Sequence, residues 1–193
     1  INGCDNSYHP CQILADALTI LEKFGTLDVN LMYIGAKNNV FNSHVEFFSK
    51  MKKGTLYGLT PLVNETACGP DFYEEAKKSG HYIELDPAMS MEEAKEYANK
   101  MDVLYTDTWV DMEFFNNPAY QKQKEETLAK MMPYQLNGDF TKDSKAIVFH
   151  DMPMHVGFEI SQDVVDKNLD HILDEAENRR HAEKAVIYTL LNS

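Results

Sequence analysis

The sequence predicts an α/β fold: a doubly wound, Rossmann-like three-layer sandwich around a mostly parallel five-stranded sheet. Helix-like and strand-like stretches alternate along the chain, which is the order that builds a parallel sheet with helices on both faces. Its 193 residues suffice for one good core, with 44% hydrophobic and 25% charged residues, as in ordinary globular domains. There is no internal repeat, low-complexity tract or clear linker, so residues 1–193 are expected to form a single domain.

Taken in order, the elements justify themselves locally. Residues 10–24 (PCQILADALTILEKF) form a helix with Leu14, Leu18 and Leu21 on one apolar face. Gly25 closes it, and Pro10 sits at the first helical position, where its missing N–H has no partner to lose. Residues 27–35 (LDVNLMYIG) are a strand ending at Gly35. Residues 42–54 are a helix capped by Asn42 or Ser43, with Gly54 after it. Strand 55–61, helix 70–80 and strand 81–86 follow. Ser90 and Glu93 have the spacing of a capping box for a helix over 90–100. Strand 102–107, a polar helix over 118–132, strand 145–151 and a closing helix over 174–192 complete the chain. The longest irregular stretch is 131–144.

Charge narrows the partners. The net charge of −13 argues against nucleic acid and anionic membranes, which need a basic face, and suits a cationic ligand or basic partner. No apolar run approaches a membrane span, and no charged-then-apolar leader argues for secretion. Cys4, Cys11 and Cys68 are odd in number and lack metal-type spacing, so they read as thiols of a cytoplasmic protein.

In a sheet of this kind, ligands bind beyond the carboxyl ends of the strands. The chain places polar groups there: GAKNNV (35–40), TDTWVDME (106–113) and HDMPMHVG (150–157). At the chain's start, His9 is expected as helix N-cap and Gln12 as third helical residue, beside free backbone N–H groups. Such an end suits an anion or a polarised carbonyl oxygen. The plain alternative is a helix start that happens to carry a histidine.

Six motifs together carry a resemblance: YHPCQILADALTI, YIGAKNNVFNS, DVLYTDTWVDM, PYQLN, HDMP and DEAENRRHAEKA. They are similar, in order, to the HPxQxLAD helix, the G-D-x-N-N loop, the D-V-x-Y-T-D-x-W segment, the Y-Q-V-N, the H-C-L-P and the D-E-A-E-N-R helix of the aspartate/ornithine carbamoyltransferase family. The tryptophan segment resembles the ornithine branch. The likeness covers that family's second, amino-acid-binding domain only. The Ser-x-Arg-Thr-Arg helix start of the carbamoyl-phosphate domain is missing, so the chain alone is expected to lack the phosphate grip and to be inactive.

The resemblance implies carbamoyl transfer from carbamoyl phosphate to a primary amine, with no cofactor, no metal, and a homotrimer in the full-length form. It implies that His9 and Gln12 contact the carbamoyl group and that Arg179 reaches its carbonyl oxygen. A helix N-terminus suits a developing oxyanion, which agrees for the first two. Arg179 can equally be a solvated helix arginine, and Arg180 and His181 are expected to be surface residues. Asn39 and Asp107 match the residues that hold the second substrate, although both are also ordinary turn formers. Asp111, Met112, His150, Asp151 and Met152 fall on the same segments and are implied to line the amine site. Trp109 is expected to pack and fix its loop.

The departures are informative. Asp111-Met112-Glu113 stands where the ornithine branch has Ser-Met-Gly, and Asp151 replaces the cysteine of H-C-L-P. Ala36 replaces the aspartate of the loop, and Val156 the arginine of H-R-G. Added carboxylates favour a more cationic ligand than plain ornithine, such as a diamine or modified amino acid. Asp151 can hold the amine protonated, accept its proton, or mark lost catalysis. His150, Asp151 and His155 fit no standard metal spacing. Run 124–130 is expected to be a solvated face, and Met131, Met132, Met152 and Met154 core filler. The competing function is a non-catalytic module that senses a cationic amino acid or polyamine.

Overall fold

A computed structural model describes residues 1–110 and 112–193; for 112 and 113 only the backbone is described. In chain order the elements are α1 (Pro10–Phe24), β1 (Asn30–Lys37), α2 (Asn39–Met51), β2 (Thr55–Val63), α3 (Pro70–Lys77), β3 (Tyr82–Glu84), α4 (Met91–Ala98), β4 (Val103–Thr106), α5 (Met112–Phe115), α6 (Gln121–Met131), β5 (Ile147–His150) and α7 (Gln162–Leu191). The five strands form one sheet in the order β3-β2-β1-β4-β5, and every neighbouring pair is parallel.

Alternate residues along each strand feed opposite cores, as the period-2 geometry of a strand requires. Leu31, Tyr33, Val103, Tyr105 and Phe149 pack with Phe41, Val45 and Phe48 of α2 and Tyr73 of α3. Met32, Ile34, Leu104 and Val148 pack on the other face with Ala94 and Ala98 of α4 and Val164, Val165 and Ile172 of α7. This gives the three layers. β1 and β4 lie side by side at the point where the chain reverses its direction across the sheet, so the crevice between their carboxyl ends is the natural ligand site.

Several boundaries differ from the sequence reading. β1 does not stop at Gly35; its pairing with β2 shifts register between Ile34 and Ala36 and then continues to Lys37. That irregularity re-aims the chain on its way to the site. α2 starts earlier than expected because Asn38 caps it, accepting the Phe41 N–H at 2.9 Å. α7 starts at Gln162, since Val164, Val165 and Ile172 bury against the sheet while the polar residues between them face out. At 30 residues it is about 45 Å long. The Ser90–Glu93 capping box is present with both of its hydrogen bonds.

The largest departure is in α1. Pro10 is at its first turn and Gly25 closes it in the left-handed region, φ 70°. The leucine face does not enter the core: Leu14 is 38% and Leu21 47% exposed. The buried face carries Gln12, Asp16 and Thr19 beside Ile13, Ala17 and Ile20. Of the methionines, Met131 is buried, whereas Met132 and Met152 are exposed.

Candidate active site

Two ends of the chain meet over the switch point. His9, the N-cap of α1, is buried and donates its backbone N–H to Ser43 Oγ at 2.8 Å. Arg179, in the middle of α7, donates from Nη2 to His9 Nε2 at 3.3 Å. A guanidinium cannot accept, so Nε2 is the acceptor and the imidazole proton lies on Nδ1. Burial, followed by the Arg179 charge, holds the His9 pKa below its ordinary value, which keeps the ring neutral. Its Nδ1 is buried and has no hydrogen-bond partner.

Asp151, just past β5, completes the triangle. Its Oδ1 lies 3.8 Å from Arg179 Nη1 and 4.0 Å from His9 Nε2, and it too is buried without a partner. Burial, then Asp107, then Asp16 push its carboxyl up to about 8, against the pull of Arg179.

Gln12 lies one turn below His9 on α1. Its amide nitrogen donates to Asp16 Oδ1 and to Glu175 Oε1, both at 2.8 Å. Both of its N–H groups are therefore used, and Gln12 can offer a ligand only its carbonyl, Oε1, which is buried and unpartnered. The N–H of Gln12 also turns back to the His9 carbonyl at 3.1 Å, so the helix start has fewer free donors than the sequence suggests.

Asp16 and Glu175 are fully buried and were not singled out by the sequence reading. Glu175 Oε2 accepts the His150 backbone N–H at 2.9 Å. Burial, then Asp16, raise the Glu175 pKa well above its ordinary value. His44 Nε2 lies 3.1 Å from Asp16 Oδ2, an ion-pair distance at an angle outside hydrogen-bond geometry. Helical spacing was the available signal: Asp16 is four residues after Gln12, and Glu175 four before Arg179.

Asp107 is buried at the end of β4. Its Oδ2 accepts Asn38 Nδ2 at 2.8 Å, and its Oδ1 accepts the Thr108 N–H at 2.6 Å. Asn38 thereby ties the end of β1 to the end of β4. The neighbouring Asn39 instead turns to the N-terminal segment, donating to the Asp5 carbonyl at 2.8 Å and to Cys4 Sγ at 3.5 Å. The sequence reading named Asn39 from the motif and did not consider Asn38, whose direction only the backbone reveals.

His150 is not open to a ligand. Its Nδ1 accepts the Met152 N–H at 2.9 Å and its Nε2 donates to Glu159 at 3.2 Å, both in a buried setting. It braces the turn that presents Asp151. Met152 adopts φ 51° and is exposed. His155 stacks on Phe115 and donates its N–H to Glu159. Asp111 lies outside the described residues, as do the side chains of Met112 and Glu113. Trp109 is buried in its loop, beside a cleft of about 460 Å³ lined by Asn64, Glu65, Thr66, Gln123 and Lys124. Arg180 and His181 are exposed and pair with Glu177. The three cysteines are free, and no group of three or more His, Cys, Asp or Glu among the described residues is placed to hold a metal.

A doubly wound domain with unpaired polar groups buried at its switch point is a small-molecule-binding α/β domain. Residues 27–190 match the family described as aspartate/ornithine carbamoyltransferase, Asp/Orn binding domain. The chain belongs to that family. An ornithine carbamoyltransferase of Chlorobaculum tepidum is 35% identical over 198 residues, covering 100% of this chain and 54% of that relative. One of Pyrococcus horikoshii is 37% identical, covering 99% and 58%. The solved ornithine carbamoyltransferase from Pyrococcus furiosus superposes with a TM-score of 0.77 at 33% identity, over 97% of this chain and 57% of that one. The chain thus spans little more than half the length of these relatives.

Proposed function

We propose that this chain is the second-substrate half of a carbamoyltransferase. The full-length protein transfers the carbamoyl group of carbamoyl phosphate to the primary amine of ornithine or a related amine or amino acid, giving a ureido product and phosphate. The observation that carries this reading is the meeting of His9 Nε2, Arg179 and the unpartnered Asp151 Oδ1 within 4.0 Å, with a further unpartnered buried oxygen on Gln12 one turn along α1. Buried polar groups are ordinarily paired, and unpaired ones at one spot await a ligand.

The chemistry assigns each a task. The carbonyl oxygen of the carbamoyl group gains negative charge during attack, and the Arg179 guanidinium, oriented by its hydrogen bond to His9 Nε2, supplies donors there. Gln12, locked with its carbonyl free, accepts from the carbamoyl amide N–H. Asp107 meets the ammonium of the second substrate, with Asn38 fixing its carboxylate and Asn39 on the same loop. Met152 completes the amine side. Holding both reactants at attack distance supplies a large part of the rate.

The phosphate grip belongs to a further domain outside this chain. An apolar groove of about 430 Å³ between Leu14 and Leu18 of α1 and Ala182, Val186 and Leu190 of α7 suits its docking. The full-length protein is a cytoplasmic homotrimer of ornithine or arginine metabolism in this reading. Among the described residues, no helix is long and apolar enough to cross a membrane.

The second reading is a non-catalytic module that senses a cationic amino acid or polyamine. Asp151 beside Arg179 favours it, because a carboxylate there weakens the guanidinium's pull on an oxyanion. The test is product analysis with the full-length protein, carbamoyl phosphate and a panel including ornithine and putrescine. A ureido product from any amine supports the transferase. Amine binding without product across the panel overturns it in favour of the module.

A further inference from the structure

Asp151 faces groups from every element packed around it. His9 at the head of α1 and Arg179 on α7 flank its Oδ1 at 4.0 and 3.8 Å. Asp107 after β4 and Asp16 on α1 bear on it, and it bears in turn on Cys4, Tyr33, Tyr105 and Glu175. Only 12% of its side chain is exposed, and its inner oxygen has no hydrogen-bond partner. A carboxyl held this way braces nothing. The acids around it outnumber the one guanidinium, so the corner is short of positive charge, and a primary ammonium supplies it.

Building on the carbamoyl-transfer reading, we propose that Asp151 is the group that accepts the proton an incoming ammonium must lose before it attacks. The N–H bond of R–NH3⁺ breaks, its electron pair stays on nitrogen, and the proton joins the Asp151 carboxylate. The freed pair forms the N–C bond to the carbamoyl carbon. The C–O bond to phosphate breaks, and its electrons leave with the phosphate, which takes a second proton from the same nitrogen. Asp151 then returns its proton to solvent through its exposed edge. The ammonium thus yields two protons, one to phosphate and one to water.

An ordinary aspartate near ~3.9 is about 10⁶-fold too weak a base for an amine near ~10.4. With its carboxyl at about 8, Asp151 falls short by only about 10²-fold. This narrows the gap that would otherwise leave a carboxylate merely trapping the ammonium, whose own charge draws the carboxyl part of the way back down. It also makes the group a base matched to near-neutral operation.

The test is the pH dependence of kcat/KM for the full-length protein with carbamoyl phosphate and a productive amine. Wild type is expected to climb to a plateau beginning near pH 8. Asp151→Asn, nearly isosteric, is expected to lose about 10²–10³-fold at pH 8 and to keep climbing toward the amine's own pKa near ~10. Asp151→Cys is expected to restore a limb near the ordinary thiol value of ~8.5. Thermal unfolding checks both variants, and if Asp151→Asn fails to fold, the Cys profile alone decides. A folded Asp151→Asn with wild-type rate and profile overturns the inference and leaves carbamoyl transfer standing, as does a Cys variant whose limb does not move. No ureido product from wild type overturns both.

Discussion

Along α1, Leu14, Leu18 and Leu21 run down the outer side while Gln12, Asp16 and Thr19 run down the inner one. The outer stripe looks like a core face and is solvated. The inner stripe looks like a surface and is buried. Each inner group is answered by α7 or α2: Gln12 by Glu175, Thr19 by Asn178 at 3.0 Å, Asp16 by His44. The lesson is that burial here follows chemistry. The inner stripe aligns Gln12 and His9 with Arg179, whereas the outer stripe is left for something outside this chain. A buried polar network gives less stability than an apolar one but specifies a single arrangement, which a site requires.

The sharpest way to break the inner face is Asp16→Ala. It leaves the Gln12 amide without one of its two acceptors and His44 without the carboxylate 3.1 Å away. Leaving a buried donor unsatisfied costs about 1–3 kcal/mol, and urea unfolding of the chain at pH 7 measures it. A loss below 1 kcal/mol contradicts the network.

Asp151 gives the next largest effect, through pH. Its folded-state pKa is raised above the unfolded value, so the native state binds more protons between roughly pH 4 and 8. Its contribution is thus fully present in acid and is lost as pH rises toward 8, by up to about 1.4 kcal/mol per pH unit. Asp151→Asn removes this slope, so the variant gains on wild type between pH 5.5 and 8.5. Parallel stability curves contradict the buried, unpaired assignment.

Glu175→Gln is expected to cost about 1–2 kcal/mol, because both carboxyl oxygens accept a buried N–H, from Gln12 and from His150, and an amide offers only one oxygen. A cost near zero contradicts the two accepted hydrogen bonds. The smallest effect belongs to the outer stripe. Leu14→Ser is expected to change the chain's stability by under about 0.5 kcal/mol, while lowering activity of the full-length protein if a further domain covers the groove.

Much of the fold was legible. Alternating elements gave the parallel sheet, Pro10 and Gly25 bounded α1, and Ser90 with Glu93 marked α4. The motifs that nominated His9, Arg179, Asp107 and Asp151 named residues that lie together. Direction was not legible. Periodicity reports that a helix has two faces and not which one is covered. Asn38 and Asn39 are chemically identical neighbours, and only the backbone turn after the β1 irregularity separates the residue on Asp107 from the one on Cys4. His150 carries the same letter whether it faces a ligand or, as here, Glu159. Asp16 and Glu175 looked like ordinary helix acids because nothing local marks a buried carboxyl.

The central claim is that His9 and Arg179, 170 residues apart, act as one unit, the imidazole holding the guanidinium in place. A double-mutant cycle on kcat/KM of the full-length protein, with His9→Ala, Arg179→Ala and the pair, tests it most directly. Convergence predicts that the double variant is little worse than the weaker single one, with a coupling of at least about 1 kcal/mol. Fully additive losses would mean that the two side chains serve separate tasks, and the account would fail.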